Sequence, residues 1–334
     1  MAKPTAAMVM HPVVQEELLR EDHMQRIELA TRLAAPTPFR DFEALGDTAQ
    51  TVELLITSWG CPRITRDVVE SMPKLRLVAH LAGSVKGFLD EDVWRRGVRV
   101  TNAVAANAVP VAEYTVAAIL FANKNVLQLA HYYREYRENR APWTKEAPDA
   151  GNYQKTVGII GASHVGRLVI ELLQPYDLKV LLYDPYTTPM SSRKLGAHKV
   201  GLSELLSRSD IVSLHAPLLD DTREMIGARE LALMKSGATL INTARGQLLN
   251  HSALQQELEL GRLNAVLDTT EPEVLPEDSP LFDLPNVLLT PHIAGSLGSE
   301  AERLSDHIVD EIERFSTGAP MRYLVRREEL PRLA

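Results

Sequence analysis

The sequence predicts an α/β protein made of two domains, each with a mostly parallel sheet. Three observations carry that reading. At 334 residues the chain is longer than one ordinary hydrophobic core serves. From about residue 52 onward, short runs of Val, Ile and Leu alternate with helix-like segments, the rhythm of strands joined by crossover helices. In the second domain those runs are continuously apolar rather than alternating, as expected of strands covered on both faces.

Bulk composition narrows the function classes. With 45% hydrophobic and 24% charged residues, the chain matches a soluble globular protein and neither a disordered nor a fibrous one. A formal net charge of -8 argues against general nucleic-acid binding, which needs a basic face, and points to small-molecule partners. The single cysteine, Cys61, excludes an intrachain disulfide or a thiolate metal cluster, and it reads as a passive thiol in a reducing cytoplasm. Met1-Ala2-Lys3-Pro4 lacks the charged start and apolar run of a signal peptide, and no stretch reads as long and apolar enough to span a membrane.

In the first domain, Val52–Thr57, Leu75–His80 and Val98–Thr101 read as strands, with a helix from Asp90 to Arg96. A long apolar helix follows, with Pro110 expected in its first turn. The segment His131–Tyr153, with Trp143 and two prolines, lacks clear periodicity and is expected to be an extended arm, where Trp143 could pack against another subunit. Thr156–Ile160 reads as a strand, Val165–Leu173 as a helix and Leu178–Tyr183 as a second strand. Further strands are expected at Ile211–Leu214, Ala238–Asn242, Asn264–Leu267 and Val287–Thr290, and a closing helix at Glu300–Phe315 returns to the first domain.

Between the first strand and helix of the second domain stands Gly161-Ala162-Ser163-His164-Val165-Gly166. It approximates the dinucleotide turn, in which the first glycine makes the bend, the second admits a pyrophosphate and the third lets helix and strand pack. Ser163 replaces the second glycine but keeps a backbone N–H at a helix N-terminus, and its hydroxyl could donate to a phosphate oxygen. The second strand ends in Asp184, placed to accept hydrogen bonds from an adenine ribose and to repel a 2′-phosphate, which favours NAD over NADP. A turn cap is the bland alternative for that aspartate.

Three residues past later strands complete the chemistry: Arg245 in Asn242-Thr243-Ala244-Arg245-Gly246, Glu273 after Leu267-Asp268, and His292 in Thr290-Pro291-His292-Ile293-Ala294-Gly295. A fixed cation, a carboxylate and an imidazole are the parts needed to bind a 2-oxo acid and protonate its carbonyl during reduction. The ten histidines show no zinc-ligand spacing, and no hydrolase motif is present.

These motifs, with Leu214-His215-Ala216-Pro217-Leu218, resemble the D-isomer-specific 2-hydroxyacid dehydrogenases over about residues 50 to 315. The resemblance implies a Rossmann cofactor domain at 105–295, inserted into a flavodoxin-like substrate domain formed by 1–104 and 296–334, usually within a homodimer. It implies that Arg245 holds the substrate carboxylate, that His292 exchanges a proton with the carbonyl oxygen, and that Glu273 holds His292 and favours its charged form. Glu273 is chosen over Glu271 because the family places that partner five residues after the strand-end Asp268. Asp268 is assigned to the nicotinamide end of the cofactor, with a cap at the strand end as the alternative. Gly161, Ser163, His164, Val165 and Gly166 fall at the pyrophosphate. His215, Pro217 and Thr222 resemble residues lining the ribose and nicotinamide region, with packed core the alternative for His215. Thr243, Ala244 and Gly295 complete the expected cofactor contacts. Gly83 and Ser84 resemble the loop that receives the substrate carboxylate. Trp59 would cap the pocket or pack between domains, and Lys86 would meet a second anionic group on the substrate or be solvated. Two other readings remain: a formate dehydrogenase, against which Glu273 argues because that relative carries Gln there, and a cofactor-sensing corepressor-like protein.

Overall fold

The structure is a computed structural model, and it describes residues 2–137, 147 and 149–332. Trp143, expected on an arm, lies outside the described residues. The chain divides into two compact units, residues 1–107 with 296–333, and residues 108–295.

The first unit holds a five-stranded parallel sheet of β1 (Thr5–Val9), β2 (Arg32–Leu33), β3 (Leu54–Thr57), β4 (Leu77–His80) and β5 (Arg99–Asn102). Its order is β2-β1-β3-β4-β5, the flavodoxin-like order. β1, β3 and β4 are buried at every position, as a sheet covered on both faces requires. On one face Met8, Ile56 and Leu77 pack with Leu304, Ile308 and Ile312 of the helix Ala301–Thr317. On the other, Val9, Leu55 and Val78 pack with Val69 and Val93.

The second unit holds β6 (Thr156–Ile160), β7 (Lys179–Tyr183), β8 (His198–Lys199), β9 (Ile211–Leu214), β10 (Thr239–Asn242), β11 (Asn264–Leu267) and β12 (Val287–Leu289). All pairings are parallel, in the order β12-β11-β10-β9-β6-β7-β8. Counted from β6, the first six strands have the Rossmann order, so the strand order reverses between β6 and β9, the switch point at whose carboxyl ends such sheets bind ligands.

Three readings of the sequence need correction. The long helix runs Val104–Asn123, so Pro110 stands inside it rather than in its first turn. The missing N–H costs one backbone bond, which the helix tolerates near its start. That helix is also long and apolar enough to cross a membrane by length and composition, contrary to the expectation; here Ala112, Val116 and Ile119 are buried against Val157, Ile159 and Ile241 of the sheet. The expected arm begins as helix, since Val126–Tyr136 is helical.

Candidate active site

The turn at the carboxyl ends of β6 and β9 is shaped by two glycines. Gly161 has a φ of 99°, and a β-carbon there would stand 2.6 Å from the Ala216 nitrogen, so only glycine lets the turn lie against the end of β9. At Gly166 a β-carbon would stand 2.1 Å from the Gly161 carbonyl oxygen, and its absence lets the helix His164–Leu173 start directly on the turn. Ser163 has a φ of -66° and needs no glycine; its Oγ accepts from the Gly166 amide at 3.3 Å as the helix N-cap. The His164 and Val165 amides are left as first-turn donors at the positive end of the helix.

Asp184 follows β7 and bends back to that turn. Its Oδ1 accepts from the Tyr186 amide at 2.8 Å and the Thr187 hydroxyl at 2.9 Å, and its Oδ2 accepts from the Ala162 amide at 2.8 Å. Oδ2 keeps acceptor capacity for a further donor. A helix start offering amides and a neighbouring strand end offering a carboxylate fit the pyrophosphate and ribose of a dinucleotide.

The turns after β10, β11 and β12 carry Arg245, Glu273 and His292. Asn242, fully buried at the end of β10, accepts from the Ala244 amide at 3.0 Å and donates to the Arg245 carbonyl at 2.9 Å, fixing the turn. Arg245 Nη1 donates to the Ala244 carbonyl at 2.6 Å, and the guanidinium forms no ion pair with a described residue. Its remaining donors are open to an anion. A β-carbon on Gly246 would lie 2.0 Å from the Thr270 carbonyl oxygen, so this glycine lets the arginine turn touch the turn that leads to Glu273. His251 joins the same two turns, its Nε2 lying 3.2 Å from the Gly246 carbonyl and 3.2 Å from the Glu271 amide.

Glu273 and His292 meet directly, with the carboxylate Oε1 on the imidazole Nδ1. An ionised carboxylate only accepts, so Nδ1 carries the proton in this contact. His292 has a φ of 55°, a left-handed backbone unusual for a residue with a β-carbon. Its amide donates to the carbonyls of Asp268 and Thr290, each at 3.0 Å. Glu271 accepts from Gln247 instead and does not bond the histidine.

Other expected contacts sit deeper. The Asp268 carboxylate, 2% exposed, accepts from Thr290 Oγ1 at 2.6 Å and from the Ile293 and Ala294 amides at 2.8 and 2.9 Å. Three of its acceptor positions therefore hold the histidine turn, which ends at Gly295. His215 is fully buried, with Nε2 2.9 Å from the Ser213 hydroxyl, and burial lowers its pKa to about 3. It is a neutral packed imidazole. Thr222 donates to the Pro217 carbonyl at 2.6 Å, closing that loop on itself. Thr243 shares a hydroxyl contact of 3.0 Å with Thr115.

Residues 116–294 match the model of the D-isomer specific 2-hydroxyacid dehydrogenase, NAD binding domain. Over 309 residues the chain is 31% identical to a glyoxylate reductase of Korarchaeum cryptofilum, covering 92% of this chain and 91% of that relative. The chain belongs to the D-isomer-specific 2-hydroxyacid dehydrogenases. Another relative, a D-3-phosphoglycerate dehydrogenase of Methanocaldococcus jannaschii, is 30% identical over 97% of this chain, which spans 60% of that longer protein. A D-isomer specific 2-hydroxyacid dehydrogenase from Lactobacillus delbrueckii ssp. bulgaricus, solved in its NAD complexed form, superposes with a TM-score of 0.79 at 23% identity, covering 96% of this chain and all of that one. As a member of this family, the chain is an NAD-dependent oxidoreductase that interconverts 2-oxo and D-2-hydroxy acids.

The dehydrogenase's remaining expected residues lie in the first unit, at the carboxyl ends of β3 and β4. Trp59 is 50% exposed, and its carbonyl accepts from the His11 amide at 3.2 Å. A β-carbon on Gly83 would meet nothing within 4 Å, and Ser84 Oγ accepts from the Lys86 amide at 3.2 Å. Sequence reasoning did not single out Asn242, His251 or Thr290 as supports of the site. Only the partners of these residues across the fold reveal what they do.

Proposed function

We propose that Arg245 clamps the carboxylate of the 2-oxo acid, that His292 exchanges a proton with its carbonyl oxygen, and that Glu273 fixes the histidine for that exchange. One observation carries the reading: Glu273 occupies Nδ1 of the His292 imidazole, in the same unit as an arginine that has no carboxylate partner among the described residues. Guanidinium is charged at any working pH and offers a planar fork to the carboxylate and oxo oxygens. His292 Nε2–H gives its proton to the oxygen during reduction, and Nε2 takes it back during oxidation. Glu273 accepts from Nδ1 throughout, so a single ring face is presented. NAD, when bound, supplies or accepts the hydride at the carbonyl carbon.

We assign the cofactor domain to 105–295, where the glycine turn and Asp184 lie, and the substrate domain to 1–104 with 296–334, where Gly83 and Ser84 offer backbone to a carboxylate and Trp59 an exposed ring. Asp184 favours NADH, since a 2′-phosphate would stand against its carboxylate. A homodimer is the assembly we infer; a mostly apolar groove of about 240 Å³, lined by Tyr114, Ala118, Phe121, Val126 and Leu288, offers it surface to bury.

The test is oxidation of NADH and of NADPH with glyoxylate, pyruvate, hydroxypyruvate and phenylpyruvate. NADH should be preferred with at least one acid. Arg245→Ala should raise KM and lower kcat, and His292→Ala should lower kcat by about 100-fold or more with little change in KM. Kinetics like those of the unmodified protein in either variant overturn its assigned role.

A further inference from the structure

Tyr114 lies on the helix Val104–Asn123, far in sequence from the reacting groups. Its Oη stands 2.7 Å from Thr290 Oγ1, and Thr290 Oγ1 stands 2.6 Å from Asp268 Oδ1. Proton bookkeeping fixes the direction of both bonds. The ionised carboxylate can only accept, so the one hydroxyl proton of Thr290 is committed to Asp268, and the Tyr114 hydroxyl must donate to Thr290. Burial holds the Tyr114 phenol above its ordinary range, so it keeps that proton at neutral pH.

The chain continues into the histidine turn. The Asp268 carboxylate that accepts from Thr290 also accepts from the Ile293 and Ala294 amides, and the Asp268 carbonyl accepts from the His292 amide. These bonds surround a residue held at a φ of 55°, a conformation that persists only when neighbours enforce it. Without the Tyr114 hydroxyl, Thr290 Oγ1 loses the donor that fixes its orientation toward Asp268; without the Thr290 hydroxyl, Asp268 loses one of its three donors, and the two amides lose a fixed acceptor. A phenylalanine would fill the ring's place on the helix equally well. Among the described residues the hydroxyl has one hydrogen-bond partner, Thr290.

We propose that Tyr114 is a positioning residue for the acid–base histidine, acting through the Thr290 hydroxyl and the Asp268 carboxylate to hold the turn on which His292 presents Nε2. This rests on the role given to His292 above. The hydroxyl-to-hydroxyl-to-carboxylate series is one device, so removing its outer member and its middle member should not add.

Tyr114→Phe, Thr290→Val, Thr290→Ser and the double variant Tyr114→Phe/Thr290→Val test it in the full chain. Two readouts are needed: steady-state kinetics with the most active of the four acids named above, and hydrogen exchange of the amides in 291–295 without substrate. Losing one hydrogen bond in the series, Tyr114→Phe should lower kcat about five-fold with KM for the acid unchanged, and speed exchange of the Ile293 and Ala294 amides by a similar factor. Thr290→Val should do more, Thr290→Ser should restore most of the loss, and the double variant should match Thr290→Val alone. Unchanged exchange in Tyr114→Phe, additive losses in the double variant, or a loss expressed in KM alone overturns the proposal. If His292→Ala leaves kcat intact, the acid–base reading fails separately, and the exchange data still decide whether Tyr114 holds the turn.

Discussion

Gly246 shows how one missing carbon assembles the site. A β-carbon there would meet the Thr270 carbonyl at 2.0 Å and the Glu271 nitrogen at 2.6 Å, and both are backbone atoms that cannot swing aside. Gly246→Ala must therefore separate the Arg245 turn from the turn that leads to Glu273. The expected result is a fall in kcat/KM of about 100-fold, equivalent to roughly 3 kcal/mol of lost transition-state stabilisation, with far-ultraviolet circular dichroism unchanged. Activity within a few-fold of the unmodified protein would show that the two turns do not need contact. At this scale the placement of the three proposed residues was legible in the sequence, because Arg245, Glu273 and His292 each follow an apolar run that announces a strand end. Their supports were not. Asp268 reads in the sequence as a nicotinamide contact or a strand-end cap, and its bonds to Thr290, Ile293 and Ala294 show its carboxylate holding the histidine turn.

Ser163 sets the behaviour of an element rather than of a single contact. In the sequence its hydroxyl looked available to a phosphate; in the fold its oxygen accepts from the Gly166 amide and starts the helix His164–Leu173. Ser163→Ala should thus destabilise the second unit by about 1 kcal/mol, whereas Ser163→Gly should cost only a few tenths. Urea unfolding of the two variants separates these outcomes, and equal losses would mean that the cap bond contributes nothing. Elements with continuous Val, Ile and Leu runs, such as β6, β9 and β11, were legible to within a residue or two. β1 was missed because Thr5-Ala6-Ala7-Met8-Val9 has little β-propensity of its own and is made a strand by pairing with β3 across the chain. The helix Val126–Tyr136 was missed because its second half, His131–Tyr136, carries no aliphatic residue to mark a helical period.

Over the whole molecule, each unit hides one imidazole at the carboxyl end of a central strand. His80 ends β4 and pairs its Nδ1 with the Thr57 hydroxyl at 2.9 Å, and burial lowers its pKa to about 4. His215 follows β9, and burial lowers its pKa to about 3. In the unfolded chain both would titrate near 6.5. Below that pH the unfolded chain binds protons that the folded units refuse, so stability is complete above about pH 6.5 and is lost as pH falls toward the folded values. Well below pH 6.5 each histidine contributes a slope of about 1.4 kcal/mol per pH unit, or roughly 2 kcal/mol by pH 5. Acid sensitivity should therefore appear in both units and at pH values where most carboxylates are still ionised. Urea titrations at pH 7, 6 and 5 should show each unit weakening in step, and His80→Gln or His215→Gln should flatten the pH dependence of its own unit only. The variants are expected to be less stable than the unmodified protein at pH 7, because each removes a packed ring. The diagnostic quantity is the slope, and an unflattened slope in His215→Gln would mean that the buried imidazole is not what makes the second unit acid-sensitive.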